Sequence, residues 1–160
     1  MSIIEQKGLI NKTIKKAKTV FLMAHKDLDL DALGSSIGMY ILLTQKRKDC
    51  YLIIDDTNHE LGVQKVLREL EGCIKIIKSE ELEQHINPKK NKNLLIVLDT
   101  NKEDLTQNKE VLKKIENKMV IDHHEMSKHY IKNSIMINDT NSSSTCEMIT
   151  DLVEYYDIDL

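Results

Sequence analysis

The stretch HKDLDLDALGSS, residues 25–36, puts one imidazole and three carboxylates within seven positions. Acids this close repel one another, so something must neutralise them. The same chemistry recurs at two later places. NLLIVLD, 93–99, ends in Asp99, and KMVID, 118–122, ends in Asp122 followed by His123 and His124. Carboxylates mixed with imidazoles suit Mn²⁺, Zn²⁺ or Fe²⁺, and Mg²⁺ where oxygen dominates. Two such ions about 3.5–4 Å apart need a shared acid between them. Asp29 and Asp31 stand two apart, so in an extended loop they point the same way and one serves each ion. Asp99 suits the bridge, His25 completes the first set and His123 joins the second. Asp122 and His124 are the catalytic candidates, as an orienting group and a substrate contact, because ligating imidazoles need a partner for their other nitrogen.

These side chains meet only if the elements carrying them share one edge. TVFLMA (19–24), CYLIID (50–55), IKII (74–77), NLLIVLD and KMVID are short apolar runs that read as buried strands, and IMIN (135–138) reads as a short extended segment. Helical spacing marks 2–17, 31–46, 60–71, 79–86, 108–117 and 143–156. Gly72 is a stop for the third of these helices, Asp31 a cap for the second, and Ser144 with Glu147 a capping box for the last. Strands apolar on both faces alternate with helices. That predicts an α/β fold: a doubly wound, mainly parallel sheet with helices on both faces. Ligands of such sheets bind beyond the carboxyl ends of the strands, where His25, Asp99 and Asp122–His124 fall. Asp55 and Asp56 also end a strand but have no histidine with them, and read as loop or cap. His59, His85 and His129 have no comparable setting.

The 160 residues fit one domain, 1–160, and 41% are apolar, enough for one core. A net charge of −3 argues against a long nucleic-acid groove but not against a small nucleotide bound through metal. No apolar run spans a membrane, and the N-terminus lacks a secretory pattern. Cys50, Cys73 and Cys146 are odd in number and widely spaced, so they read as reduced, buried thiols of a cytoplasmic chain. The basic run 87–93 reads as a solvated loop. An EF-hand starting at Asp27 fails, because its sixth and twelfth positions hold Ala32 and Gly38. A receiver domain leaves His25 and the two adjacent histidines without a task. No P-loop and no GxSxG elbow is present.

With those residues in place, the chain resembles the DHH phosphoesterase superfamily. AHKDLDLDALGSSIG is similar to its first motif, VLDT to its second, VIDHH to its third, and NDTNSSSTCEMITDL to the Ser-Ser-Thr stretch that opens a later helix. The likeness runs from Val20 to Tyr156. HK, LDTNKEDLT and SSSTCEMITDLVEYY lean toward the GdpP/YybT type, which cleaves cyclic di-AMP. The oligoribonuclease and pAp-phosphatase type usually has Pro-Asp-Gly-Asp where this chain has Leu28-Asp29-Leu30-Asp31. The resemblance implies a Rossmann-like domain, a metal-dependent phosphodiesterase activity and two Mn²⁺. It assigns His25, Asp29 and Asp99 to one ion, Asp31, Asp99 and His123 to the other, and His124 to the scissile phosphate. It implies a small nucleotide as partner and allows a homodimer. The family also carries a later Asp motif and a C-terminal substrate-binding domain, and the sequence reaches Leu160 before either. A fragment or truncated relative is therefore expected, with weak binding of the second ion and doubtful turnover by itself.

Overall fold

The computed structural model describes residues 1–156, so the last four residues of the expected 1–160 domain lie outside it. Six strands form one sheet: β1 (Thr19–Met23), β2 (Asp49–Ile53), β3 (Ile76–Ile77), β4 (Asn93–Leu98), β5 (Lys118–Asp122) and β6 (Ser134–Asn138). Their order is β3-β2-β1-β4-β5-β6 and every neighbouring pair is parallel. This is the order of dinucleotide-binding sheets, with its reversal point between β1 and β4.

β1 and β4 are buried along their whole length because side chains alternate between two covered faces. Val20, Leu22, Leu94, Ile96 and Leu98 face one apolar cluster, and Phe21, Met23, Leu95 and Val97 face the other. The first cluster includes residues of α1 (Lys7–Lys16), α2 (Leu30–Gln45), α3 (Leu61–Glu69) and α6 (Thr145–Tyr155). The second includes Leu82 of α4 (Leu82–His85) and Val111 and Leu112 of α5 (Lys109–Lys114). The expected doubly wound arrangement is therefore present.

Several elements differ from the sequence reading. Helix α1 starts at Lys7, because residues 3–6 form turns and Ser2 and Glu5 bond to each other. The helix expected over 79–86 is a 3-10 turn at Ser79–Glu81 followed by one α turn; Ser79 N–H is held by Asp55, and Pro88 lies just beyond. Helix α5 ends at Lys114 because Ile115 turns extended and enters the core at 1% exposure. IMIN belongs to a full strand that pairs with β5 along its length. Asp29, not Asp31, caps α2, accepting Ala32 N–H at 2.9 Å. Ser144 caps α6 as expected, but Glu147 returns to Ser143 N–H rather than to that of Ser144. Gly72, at φ +79°, lies in the turns beyond α3, whose capping residue is Leu70. Of the cysteines only Cys50 is buried; Cys73 is exposed and Cys146 half-buried.

The run GSSIG has a packing role. A Cβ on Gly34 would lie 2.7 Å from Cys146 Sγ, and one on Gly38 2.8 Å from Ile149 Cγ2. Ser35 and Ser36 are fully buried. These small residues let α2 and α6 approach closely, which brings the first turn of α2 against the N-terminus of α6.

Candidate metal centre

The carboxyl ends of β1, β4 and β5 deliver the candidate side chains to the reversal point. Asp99 follows β4 at φ +61°, a backbone region that Asp and Asn visit more readily than other non-glycine residues. It is 3% exposed. Its two oxygens face different neighbours. Oδ2 is 3.4 Å from His25 Nε2, while Oδ1 is 3.6 Å from His123 Nε2 and 3.8 Å from His124 Nδ1. Thr145 Oγ1 donates to Oδ1 at 2.8 Å.

His25 Nε2 also stands 3.5 Å from Asp29 Oδ2. On the other side of the ring, Nδ1 lies 2.7 Å from Lys26 C=O. A proton on Nδ1 leaves the Nε2 lone pair directed at the carboxylates, the arrangement a ligating imidazole requires. The hydrogen bond to Asp99 raises the His25 pKa to about 9 against the opposing effect of burial, with Lys26 C=O and the Asp29 charge adding to the rise. In the metal-free chain a proton on His25 thus offsets part of the negative charge of Asp29 and Asp99.

Asp29 and Asp31 do not share an extended loop: Asp29 is the cap and Asp31 lies in the first turn of α2. They still reach different neighbours. Asp31 Oδ2 is 3.7 Å from His123 Nε2. Its carboxylate also caps α6, accepting Cys146 N–H at 2.7 Å and Thr145 N–H at 2.9 Å. Burial pushes its pKa up, but the N–H groups of Cys146 and Thr145 outweigh that and hold it below the ordinary value. The N-terminus of α6 therefore already carries a carboxylate.

The donor atoms of His25, Asp29 and Asp99 all lie within 4.8 Å of one another, as do those of Asp99, His123 and His124. An ion with bonds of about 2.1 Å holds its donors roughly 3.0–3.4 Å apart. The first set, at 3.4–3.5 Å around His25 Nε2, needs only small adjustments to accept one. Asp31 and Asp99, at 3.7 and 3.6 Å from His123 Nε2, make a looser second set. The residues therefore fit a divalent metal, better at the first set than at the second. His124 differs from His123: its Nδ1 is 2.8 Å from Asp122 Oδ1, and its side chain is 53% exposed. Asp122 is fully buried at the floor of the cleft.

A cavity of about 490 Å³ opens over the cluster, lined by His25, Asp29, Asp99, Lys102, Leu105 and His124 among others. Residues unread in the sequence support it. Gln107 Nε2 donates to His25 C=O and to Asp56 at 2.8 Å each, while its Oε1 accepts the N–H groups of Asp55 and Asp56. Asp55 and Asp56 lie in the loop after β2, as expected, and Asp55 also holds Ser79 N–H. Thr145 steadies Asp99, and Asn101 contacts Asp122. No periodicity marks such residues, since each is polar, at least half-buried and paired only through the fold. His59, His85 and His129 do not join the cluster; His85 packs at a tilt against the Tyr51 ring.

Known proteins supply the comparison. The model of the DHH family, N-terminal domain, matches residues 19–159. Cyclic-di-AMP phosphodiesterase PdeA of Listeria monocytogenes is 30% identical over 148 residues, covering 91% of this chain and 22% of that protein. Cyclic-di-AMP phosphodiesterase GdpP of Bacillus subtilis is 29% identical over 154 residues, with the same coverage of 91% and 22%. The chain thus spans about a fifth of the length of these curated relatives. The crystal structure of an exopolyphosphatase-related protein from Bacteroides fragilis matches with a TM-score of 0.66 at 21% identity, over 95% of this chain and 44% of that one, a likeness of fold. On the family match across most of its length, this chain belongs to the DHH family, whose N-terminal domain it carries.

Proposed function

We propose that this chain supplies the metal-binding part of a phosphodiesterase that hydrolyses a small nucleotide, with cyclic di-AMP as the favoured substrate and manganese as the favoured ion. The observation that carries the reading is Asp99, one buried carboxylate whose two oxygens face His25 and His123 separately. The relatives that bear the name cyclic-di-AMP phosphodiesterase support the substrate. A cytoplasmic location fits the three unpaired thiols.

In this reading His25, Asp29 and Asp99 hold one ion, and Asp31, Asp99 and His123 hold the other more weakly. When bound, the ions supply positive charge for the phosphoryl oxygens and make water acidic enough to attack near neutral pH. The chain does the rest. Thr145 fixes the rotation of the shared carboxylate, and Gln107 fixes the His25 backbone. His124 keeps Nδ1–H on Asp122, and only as an imidazolium would it also carry a proton on Nε2 to donate to a phosphoryl oxygen. In the net reaction a water oxygen bonds to phosphorus, the bond to the 3′ oxygen breaks, and a proton from water ends on that oxygen.

A second reading, a nucleotide-binding module without turnover, is favoured by the long donor distances around His123. Incubating the purified chain with Mn²⁺ and cyclic di-AMP, and separating products by chromatography with and without chelator, tests both. A chelator-sensitive linear dinucleotide or mononucleotide product supports hydrolysis. Nucleotide binding without product supports the module. Phosphate release from pyrophosphate, with cyclic di-AMP left intact, would replace both with a pyrophosphatase.

A further inference from the structure

We infer that Asn101 is a positioning residue that sets the orientation and tautomer of His124 through the buried Asp122 carboxylate. Asn101 is 1% exposed and Asp122 fully buried, so their polar atoms must find partners within the protein. Asn101 Nδ2 donates to Asp122 Oδ2 at 2.6 Å and to Glu125 C=O at 3.1 Å. Its Oδ1 accepts Ser127 N–H at 2.9 Å, and its own C=O accepts Ile131 N–H at 2.9 Å. The side-chain amide has acceptors for both protons and a donor for its oxygen.

Those bonds divide Asp122 into two working ends. Oδ2 is taken by Asn101, which leaves Oδ1 to face His124 Nδ1 at 2.8 Å. His124 N–H, at 3.4 Å from the same oxygen, adds little. A carboxylate only accepts, so His124 must carry its proton on Nδ1 and present Nε2 to the cleft. Without Asn101, this fully buried carboxylate would lose its only side-chain donor other than His124 among the described residues. It would then be free to rotate, and His124 would have no fixed partner. Asn101 also ties residues 125–131, the segment that follows His124, back to the end of β4 through Glu125, Ser127 and Ile131. One amide therefore positions both the ring and the loop that carries it. The hydrogen bonds of the Asn101 side chain go to Asp122, Glu125 and Ser127 and to none of His25, Asp29, Asp31, Asp99 or His123, so its influence is directed at His124 and not at the proposed metal ligands.

The inference rests on the proposed role of His124 for its catalytic consequence, but the tautomer can be measured without activity. Two variants of the 160-residue chain are compared with the parent. Asn101→Ala removes the whole amide, and Asn101→Leu replaces it with an apolar group of similar size that neither donates nor accepts. The first readout is the ring ¹⁵N spectrum of His124 in metal-free protein at a single, mildly alkaline pH. The parent is expected to show the proton on Nδ1, and the variants a mixture of tautomers. The second readout is Mn²⁺-dependent hydrolysis of cyclic di-AMP, where kcat should fall roughly 10–100-fold, the usual effect of removing an outer partner. KM and Mn²⁺ affinity should hold within about twofold. If a folded variant keeps the parental His124 tautomer, the inference fails. It also fails if Mn²⁺ affinity falls in step with kcat, since that marks general damage. If neither substitution folds, Asn101→Ser carries the same readouts. Should the parent show no turnover while the tautomer changes as expected, the hydrolase reading fails and the positioning role stands.

Discussion

Asn in place of Asp99 is the sharpest perturbation of the centre. Asn tolerates the left-handed backbone at φ +61° as Asp does, and its Oδ1 still accepts the Thr145 hydroxyl. Asp99→Asn therefore removes one negative charge and little else, whereas Asp99→Ala would add backbone strain. At an effective dielectric of about 20, two unit charges about 4 Å apart interact by roughly 4 kcal/mol. For the ions this is a lower bound, since each is divalent. A loss of about 4 kcal/mol weakens affinity roughly 10³-fold. With Mn²⁺ at about 100 times the parental Kd, the parent gains about 2.7 kcal/mol of stability. For a chain of this size each kcal/mol moves Tm by about 2–4 °C, so Mn²⁺ should raise the parental Tm by roughly 5–11 °C. At the same concentration the variant gains under about 0.1 kcal/mol and should shift by less than about 1 °C. Thermal unfolding followed by circular dichroism, with and without Mn²⁺, measures each shift within one protein, so any change in metal-free stability cancels. Titration calorimetry supplies the affinities. A variant that keeps the parental Mn²⁺ shift and affinity would refute the idea that Asp99 links the two donor sets.

Two further outcomes follow from the same geometry. Gly38→Val forces extra carbons toward Ile149 Cγ2, which would already lie 2.8 Å from a Cβ, and should cost about 1–3 kcal/mol in urea unfolding; an unchanged midpoint would mean α2 and α6 are not in close contact. In chelator, protonated His25 is stabilised by Asp99, and its folded pKa of about 9 lies above its ordinary value, so its contribution is complete below about pH 6.5 and fades as pH rises through 9. The full span corresponds to about 3 kcal/mol. His25→Gln should abolish that slope, and parallel pH profiles for the two proteins would contradict it.

Much of the architecture was legible because burial on both faces leaves a plain mark. TVFLM and NLLIVL have no polar side at all, which only a sheet covered on both faces explains. Strand ends were legible for the same reason, since His25, Asp99 and Asp122 each follow an apolar run at the point where it stops. Helix limits were less so. Ile115 reads as one more apolar helical residue, yet it leaves the helix to fill the core, and local periodicity carries no trace of that choice. Asp31 shows the same limit within the site. Its spacing identified it as an acid near metal but not as the cap of a helix more than a hundred residues later.

What the sequence determined by itself was the set of chemical groups, their order and the strands that end in them, because residue type and hydrophobic period are local properties. Only the tertiary structure decided how they share work. It alone turned the two oxygens of Asp99 toward different histidines, let Gly34 and Gly38 bring α6 onto Asp31, and placed Asn101 behind Asp122. Each of those relations joins segments distant in the chain, and orientation across such distances is set by packing the whole sheet and its helices, not by neighbours in sequence.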